Sequence, residues 1–292
     1  MDSDKLRHRI TDQFSYESER SDIWQLFNFF IATDAYLNLG YSKWYQPHMS
    51  GSSQRRLVTQ IGNTIATYQP STNDRRLLDV GCGRGGPAIQ FANEFGFDVI
   101  GVDLVRYNIR HAKNNACSKP AKPQFLVGDA TTIPICANSI QVCTAIDALV
   151  YLSDREQVFE ELQNILASEG IFVFSDLVTR SNLPETNREA INEFAEYWDM
   201  PALGTVSSYK RALQSAGFDI RSVKDITHYS IGHFRKWTTI FLYLYASPAQ
   251  RVIDSMFKQY GLNSEMILKQ IQSAHAALPY LQHVIIVAQK TR

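Results

Sequence analysis

Leu77-Leu-Asp-Val-Gly-Cys-Gly-Arg-Gly-Gly-Pro87 is the stretch whose reading decides the fold. An apolar strand, Arg76 to Val80, runs into a glycine cluster, and a helix follows to about Phe95. Glycines let backbone approach a ligand closely, and a helix N-terminus offers free N–H groups. Gly81, Gly83 and Gly86 satisfy the GxGxxG spacing of dinucleotide-binding turns. Asp103 follows at the end of the next strand, where a ribose-binding carboxylate stands in such folds. A nicotinamide or flavin cofactor is one ligand this turn can hold. A tight strand-to-helix turn with no ligand is the plainer alternative.

Outward from this turn, strand and helix alternate. Asp98 to Val102, Gln124 to Val127, Ile140 to Ile146 and Ile171 to Phe174 read as strands, with helices ending near Ala116 and spanning Ser153 to Ala167. Ser153 with Glu156 three residues on forms a capping-box pattern, and Glu169-Gly170 reads as the helix stop. This alternation predicts an α/β fold: a doubly wound, mostly parallel sheet with helices on both faces. Two helices follow between Pro184 and Gly217, then a strand from Phe218 to Tyr229 and a last strand from Tyr280 to Ala288. The late strands imply an antiparallel pair. The helical insert between them, about 231–278, is expected to form a lid with Phe234, Trp237 and Phe241 on its apolar side. Residues 1–70 read as an N-terminal helical cap and 71–292 as the α/β domain. In the cap, Ile23, Trp24, Phe27, Phe30 and Ile31 share helical spacing, a second helix runs from Ser52 to Thr67, and Pro70 to Asp74 is a break.

Composition excludes several classes. The 292 residues carry 29 Lys plus Arg and 29 Asp plus Glu, so no net cationic charge supports nucleic-acid binding. Apolar residues at 45% and charged ones at 20% suit a globular chain, and 12% aromatics suit an apolar pocket. No apolar run approaches the ~20 residues of a membrane span. Cys82, Cys117, Cys136 and Cys143 lack metal or CxxC spacing and read as reduced thiols in a cytoplasmic protein. No metal site is expected, and a homodimer is left open.

The charge of the site argues for a ligand other than a dinucleotide. Asp79 lies two residues before Gly81, where a carboxylate repels pyrophosphate and attracts an ammonium group. The unit also begins only after some 75 residues. Gly128-Asp129-Ala130 follows the third strand and adds a carboxylate at the edge where ligands bind in open α/β folds. Asp103 suits ribose hydroxyls, and Asp129 suits an adenine amino group. Three carboxylates fit a cationic adenosyl amino acid better than an anionic dinucleotide.

Asp79-Val-Gly-Cys-Gly-Arg-Gly85, Val102-Asp-Leu104, Val127-Gly-Asp-Ala130 and the stretch from Ile140 to Asp176 resemble motifs of class I S-adenosylmethionine-dependent methyltransferases. The resemblance covers about Arg75 to Leu177 and implies a seven-stranded sheet. It also implies that Asp79, Gly81, Cys82, Gly83 and Gly85 cradle the methionine part. Asp103 would hold the ribose, Leu104 would pack on adenine, Gly128, Asp129 and Ala130 would lie at the adenine edge, and Ile146 would lie under the cofactor. Leu37-Asn-Leu-Gly-Tyr41 with Trp44 resembles the entrance segment of small-molecule methyltransferases, which brings Tyr41 towards the cofactor. Asp147 and Tyr151 stand where that group often has histidine.

Methyl transfer from a sulfonium is an in-line displacement that rests on positioning and exclusion of water. A base is needed for a poorly acidic hydroxyl. Asp147 is the first candidate, with Tyr151, Asp176 and His233 behind it; a helix-start carboxylate, a pocket wall, a turn cap and a surface histidine are their plain alternatives. The expected activity is methyl transfer from S-adenosyl-L-methionine to a small hydrophobic acceptor, oxygen favoured. An N- or C-methyltransferase, a nicotinamide-dependent oxidoreductase and a cofactor-binding protein without turnover are the alternatives.

Overall fold

The computed structural model describes residues 3–15, 26, 35–46, 51–69 and 75–291. The aromatic segment from Ile23 to Ile31 lies outside them save for Leu26, and the break at 70–74 lies outside them entirely. Strands β1 (Arg76–Val80), β2 (Asp98–Asp103), β3 (Gln124–Val127), β4 (Ile140–Ile146), β5 (Leu166–Thr179), β6 (Phe218–Asp225) and β7 (Leu281–Lys290) form one sheet in the order β3-β2-β1-β4-β5-β7-β6. The pairs among β1 to β5 are parallel, and β7 runs antiparallel to both β5 and β6. Strand order reverses between β1 and β4, which opens a crevice at their carboxyl ends.

The central strands form because apolar residues dominate them: Leu77, Leu78 and Val80, then Val142, Cys143 and Ala145, are almost fully buried, with Asp79 and Thr144 buried among them. Such runs suit strands covered on both faces. Helices α1 (Ser3–Ser15), α2 (Gly51–Tyr68), α3 (Gly86–Phe95), α4 (Arg106–Ala116), α5 (Arg155–Ile165), α6 (Glu185–Tyr197) and α7 (Val206–Ser215) precede the last two strands or lie between the others. Between β6 and β7 stand α8 (Ile231–Tyr245), α9 (Gln250–Gln259) and α10 (Ser264–Ala277). Phe234, Trp237, Phe241 and Tyr245 stack in a column along α8, and Phe241 meets Phe257 of α9.

Three local expectations differ. Helix α5 begins at Arg155, and the Ser153 hydroxyl donates to Asp154 at 3.2 Å instead of closing a capping box. The helix ends at Ile165, not near Ala167, because Leu166 pairs with Ile140 and joins the sheet. Glu169, at φ 61°, and Gly170 then turn the chain inside a register shift of β5. The strand after Gly217 stops at Asp225, where Thr227–Tyr229 form a 3-10 turn.

Cys82 and Cys143 are buried, Cys117 and Cys136 exposed, and all four are free. Among the described residues no helix is long and apolar enough to cross a membrane, and no cluster of metal-ligating side chains occurs.

Candidate active site

A cavity of about 1020 Å³, counting its open mouth, runs along the carboxyl ends of β1 to β4. Gly81 and Gly83 floor it from the first turn. Asp103, Leu104 and Asn108 line it after β2, Gly128, Asp129 and Ala130 after β3, and Ile146, Asp147 and Tyr151 after β4. Arg7, Ile10 and Phe14 of α1 and Leu37 of the entrance segment cover it.

The floor depends on backbone only glycine adopts cheaply. Gly81 and Gly83 hold φ of 67° and 54°, and a Cβ on Gly81 would stand 2.5 Å from that of Ala148. Gly85 and Gly86 serve packing instead. A Cβ on Gly85 would press on Ala112 and Phe125, and Gly86 donates its N–H to the Ala35 carbonyl at 2.9 Å. The third glycine of the fingerprint thus admits the backbone of the entrance segment. Cys82 faces away from the cavity, its sulfur packed under Gly101 in the core. Burial and the nearby Asp103 and Asp79 carboxylates push its thiol well above the usual range.

The three carboxylates differ in setting. Asp103 accepts from the Gly83 amide at 2.9 Å, the Val105 amide at 2.9 Å and Asn108 Nδ2 at 3.2 Å, which ties the glycine turn to the start of α4. Burial raises its pKa against the pull of those bonds. Asp79 is buried and is not among the residues that line the cavity. Its Oδ1 accepts from Thr144 at 2.8 Å, its Oδ2 has no hydrogen-bond partner, and burial pushes it up to about 7. Asp129 receives the Thr131 amide and hydroxyl on Oδ1, and Arg7 Nε stands 2.9 Å from Oδ2. Arg7 thereby ties α1 to the loop after β3. Phe14 meets Tyr151 edge-on at 5.3 Å at the other end of the same helix.

Asp147 stands at that end on φ 54°, a left-handed backbone that Asp tolerates better than most residues. Its Oδ2 accepts the Leu39 amide at 2.7 Å. Its Oδ1 accepts the Ser175 hydroxyl at 2.5 Å and meets His283 Nε2 at 2.9 Å. His283 belongs to no motif of the sequence, and Ser175 falls within the Ile140 to Asp176 stretch without having been singled out there. The available signal for His283 was parity: in β7 it alternates with Ile285 and Val287, so an imidazole points inward among apolar side chains.

Tyr41 and His233 lie elsewhere. Tyr41 is buried against α2 and stacks on Tyr229 at 4.7 Å, away from the cavity. His233 Nε2 contacts the Ser42 carbonyl at 3.1 Å, and no residue of the insert lines the cavity. Among the described residues α1 and Leu37 line the cavity, and the insert expected as a lid packs behind α1 in one apolar cluster with Ile10 and Phe14. Trp44 is 86% exposed and meets Tyr45 edge-on. Asp176 lies in the core, accepts from the Tyr209 hydroxyl, and is pushed up to about 7, chiefly by burial.

A parallel sheet with this switch point, an antiparallel seventh strand and a cavity over a glycine turn defines the class of α/β proteins that bind a nucleoside cofactor at the strand ends. A family profile described as a methyltransferase domain matches residues 71–241, and the chain belongs to that family. It is an S-adenosylmethionine-dependent methyltransferase. A methyltransferase of Streptomyces halstedii is 27% identical over 154 residues, 52% of this chain and 55% of that protein. An O-methyltransferase of Aspergillus nomiae is 26% identical over 196 residues, covering 65% of this chain and 84% of that one. The crystal structure of a putative sarcosine dimethylglycine methyltransferase from Galdieria sulphuraria shares the fold, with TM-score 0.74 and 15% identity over 91% of this chain and 98% of that one.

The residues present fit that cofactor. Asn108 Oδ1, on a residue that lines the cavity, is a buried acceptor without a hydrogen-bond partner, and so is Asp79 Oδ2, two residues before Gly81 of the floor. Buried acceptors left without a bond in the protein suit a donor-rich ligand such as an ammonium and a ribose.

Proposed function

We propose that the protein methylates a small hydrophobic acceptor, with a hydroxyl oxygen as the target. Asp147 carries this reading. It is a carboxylate that lines the cavity together with the apolar Ile10, Phe14, Leu37, Ile146, Tyr151 and Leu152, with Ser153 and Asp154 following at the edge of that wall. Arg7 is the one cation among the described lining residues, and it sits on Asp129. An anionic acceptor has no cationic partner at the Asp147 end, whereas an apolar alcohol or phenol gains from the wall.

S-adenosylmethionine held in the cavity would supply an electrophilic methyl group and, in its sulfur, the leaving group for the displaced electron pair. The chain's own part is threefold. Asp103 and Gly83, bonded together, hold the floor in shape. Ile10, Phe14 and Leu37 keep water from the cavity. Asp147 takes the hydroxyl proton: a carboxylate has about four acceptor sites, and three donors occupy Asp147. The remaining site is free for the acceptor. Asp103, Gly128, Asp129 and Ala130 take the nucleoside end, and Gly81, Gly83 and Ile146 the methionine end.

An amine acceptor is the second reading, because Asp147 beside Phe14 and Tyr151 also suits a cation. The test is a screen with methyl-labelled S-adenosylmethionine against phenols, aliphatic alcohols and glycine-type amines. Label in an ether supports the oxygen reading. Label in amines alone overturns it, and no transfer to any small acceptor overturns the small-molecule assignment.

A further inference from the structure

His283 is fully buried in β7, opposite Leu177 of β5. Its Nε2 meets Asp147 Oδ1 at 2.9 Å, and its Nδ1 meets the Ser230 hydroxyl at 2.8 Å. Ser230, also fully buried, is the residue from which α8 and the whole insert depart. Asp147 is held in addition by Ser175 of β5 and by the Leu39 amide of the entrance segment. One carboxylate on the cavity wall therefore gathers β5, β7, the entrance segment and, through His283, the root of the insert.

We propose that His283 is a positioning residue: it fixes the Asp147 carboxylate at the acceptor end of the cavity and ties that setting, through Ser230, to the seat of the insert. The inference rests on Asp147 as the group that takes the acceptor's proton.

Proton counting supports the assignment. An ionised carboxylate only accepts, so the hydrogen between Asp147 and His283 belongs to Nε2. In the neutral imidazole, Nδ1 is then an acceptor, and the Ser230 hydroxyl donates to it. That hydrogen bond selects the tautomer that serves Asp147. The same hydroxyl has a second acceptor, the Ile226 carbonyl at 3.2 Å. During transfer the acceptor O–H bond breaks, the proton joins Asp147, and the oxygen electron pair forms the new bond to the methyl carbon. His283 keeps its Nε2 proton throughout and acts only by holding the carboxylate.

The test begins on the ligand-free protein. With 15N-histidine labelling, His283 is expected as the Nε2-protonated tautomer, and Ser230→Ala is expected to move the Nδ1 resonance and leave Nε2 in place. The Leu39 amide reports on the carboxylate itself. His283→Leu should speed its hydrogen exchange about tenfold or more, as expected for loss of a charge-assisted bond, while amides of β1 and β2 keep their rates. His283→Gln, which keeps a donor near Asp147, should restore most of that protection. With the acceptor found in the labelled screen, His283→Leu should lower kcat roughly tenfold to a hundredfold with KM within about twofold. An Nδ1-protonated tautomer, or Leu39 exchange unchanged in His283→Leu, overturns the proposal. Should His283→Leu not fold, Ser230→Ala and His283→Gln decide: a still Nδ1 resonance in the first, or a Gln variant as slow as Asp147→Asn, overturns it. Wild-type kcat in Asp147→Asn would instead sink the proton-acceptor reading of the function, leaving the exchange data as evidence of placement alone.

Discussion

Asp103→Ala tests the glycine turn and the cofactor site together. The substitution removes the acceptor of the Gly83 amide, the Val105 amide and Asn108 Nδ2 at once, in a site that is 9% exposed. Stranding a buried donor costs about 1–3 kcal/mol. Two backbone donors cannot turn away, but burying the charged carboxylate was itself unfavourable, as its raised pKa shows, and that relief offsets part of the loss. The net is a destabilisation of roughly 2–4 kcal/mol. At about 2–4 °C per kcal/mol for a chain of this size class, the melting point should fall by roughly 5–15 °C. Calorimetry reads it directly. Titration with S-adenosylhomocysteine reads the second effect. A lost bond between a ribose hydroxyl and a charged group is worth about 1.5–3 kcal/mol, so the Kd should rise roughly tenfold to 150-fold. Asp103→Asn, which keeps one carbonyl acceptor, should fall between. A melting point within about 2 °C of wild type together with a Kd within about threefold would refute both the stitching role of Asp103 and the cofactor site built on it.

Other outcomes follow from the same geometry. Gly81→Ala meets left-handed strain of about 1–2 kcal/mol and overlap with Ala148 worth about 1–3 kcal/mol, so chemical unfolding should show a loss of a few kcal/mol. Ala148→Gly in the same chain should recover the overlap and leave the strain. Arg7→Ala removes a half-exposed ion pair worth at most about 1 kcal/mol, so the melting point should barely move. Release of S-adenosylhomocysteine should quicken several-fold as α1 loosens; equal off-rates would show that α1 is no latch. Asp79 and Asp176, both pushed up to about 7, set a pH trend. The unfolded chain loses these protons near pH 4 while the native chain keeps them to about pH 7, so stability should fall as pH rises across that window and level off above it. Urea unfolding at several pH values should show this slope, and a slope undiminished in Asp79→Asn would contradict the raised pKa.

The parts of the fold legible in the sequence are those where one physical cause acts alone. Leu77 to Val80 and Val142 to Ala145 are buried on both sides, so their apolar runs mark strands almost to the residue. The Gly81 turn and the carboxylates after β2, β3 and β4 are local in sequence, and they meet on one cavity because parallel strands bring their carboxyl ends together. What escaped depends on distant partners. Leu166 left its helix for Ile140, which no local pattern records. Tyr41 found Tyr229, and His233 found Ser42, because the β6–α8 junction packs beside the entrance segment. Arg7 reaches Asp129 across more than a hundred residues, and His283 reaches Asp147 across 136. A lone histidine in an apolar strand shows that a polar partner must exist, but not which one.

The place of β7 has a consequence for the order in which the molecule assembles. It follows every other strand in the chain, yet it lies between β5 and β6, and β6 has no other neighbour in the sheet. During synthesis the parallel strands β1 to β5 can pair as they emerge, whereas β6 and the insert helices must wait with an open edge. When β7 threads into the gap it supplies two ladders at once and delivers His283 to Asp147. The His283 contact of Asp147 thus exists only once β7 has taken its place between β5 and β6, so that setting of the carboxylate depends on a completed sheet.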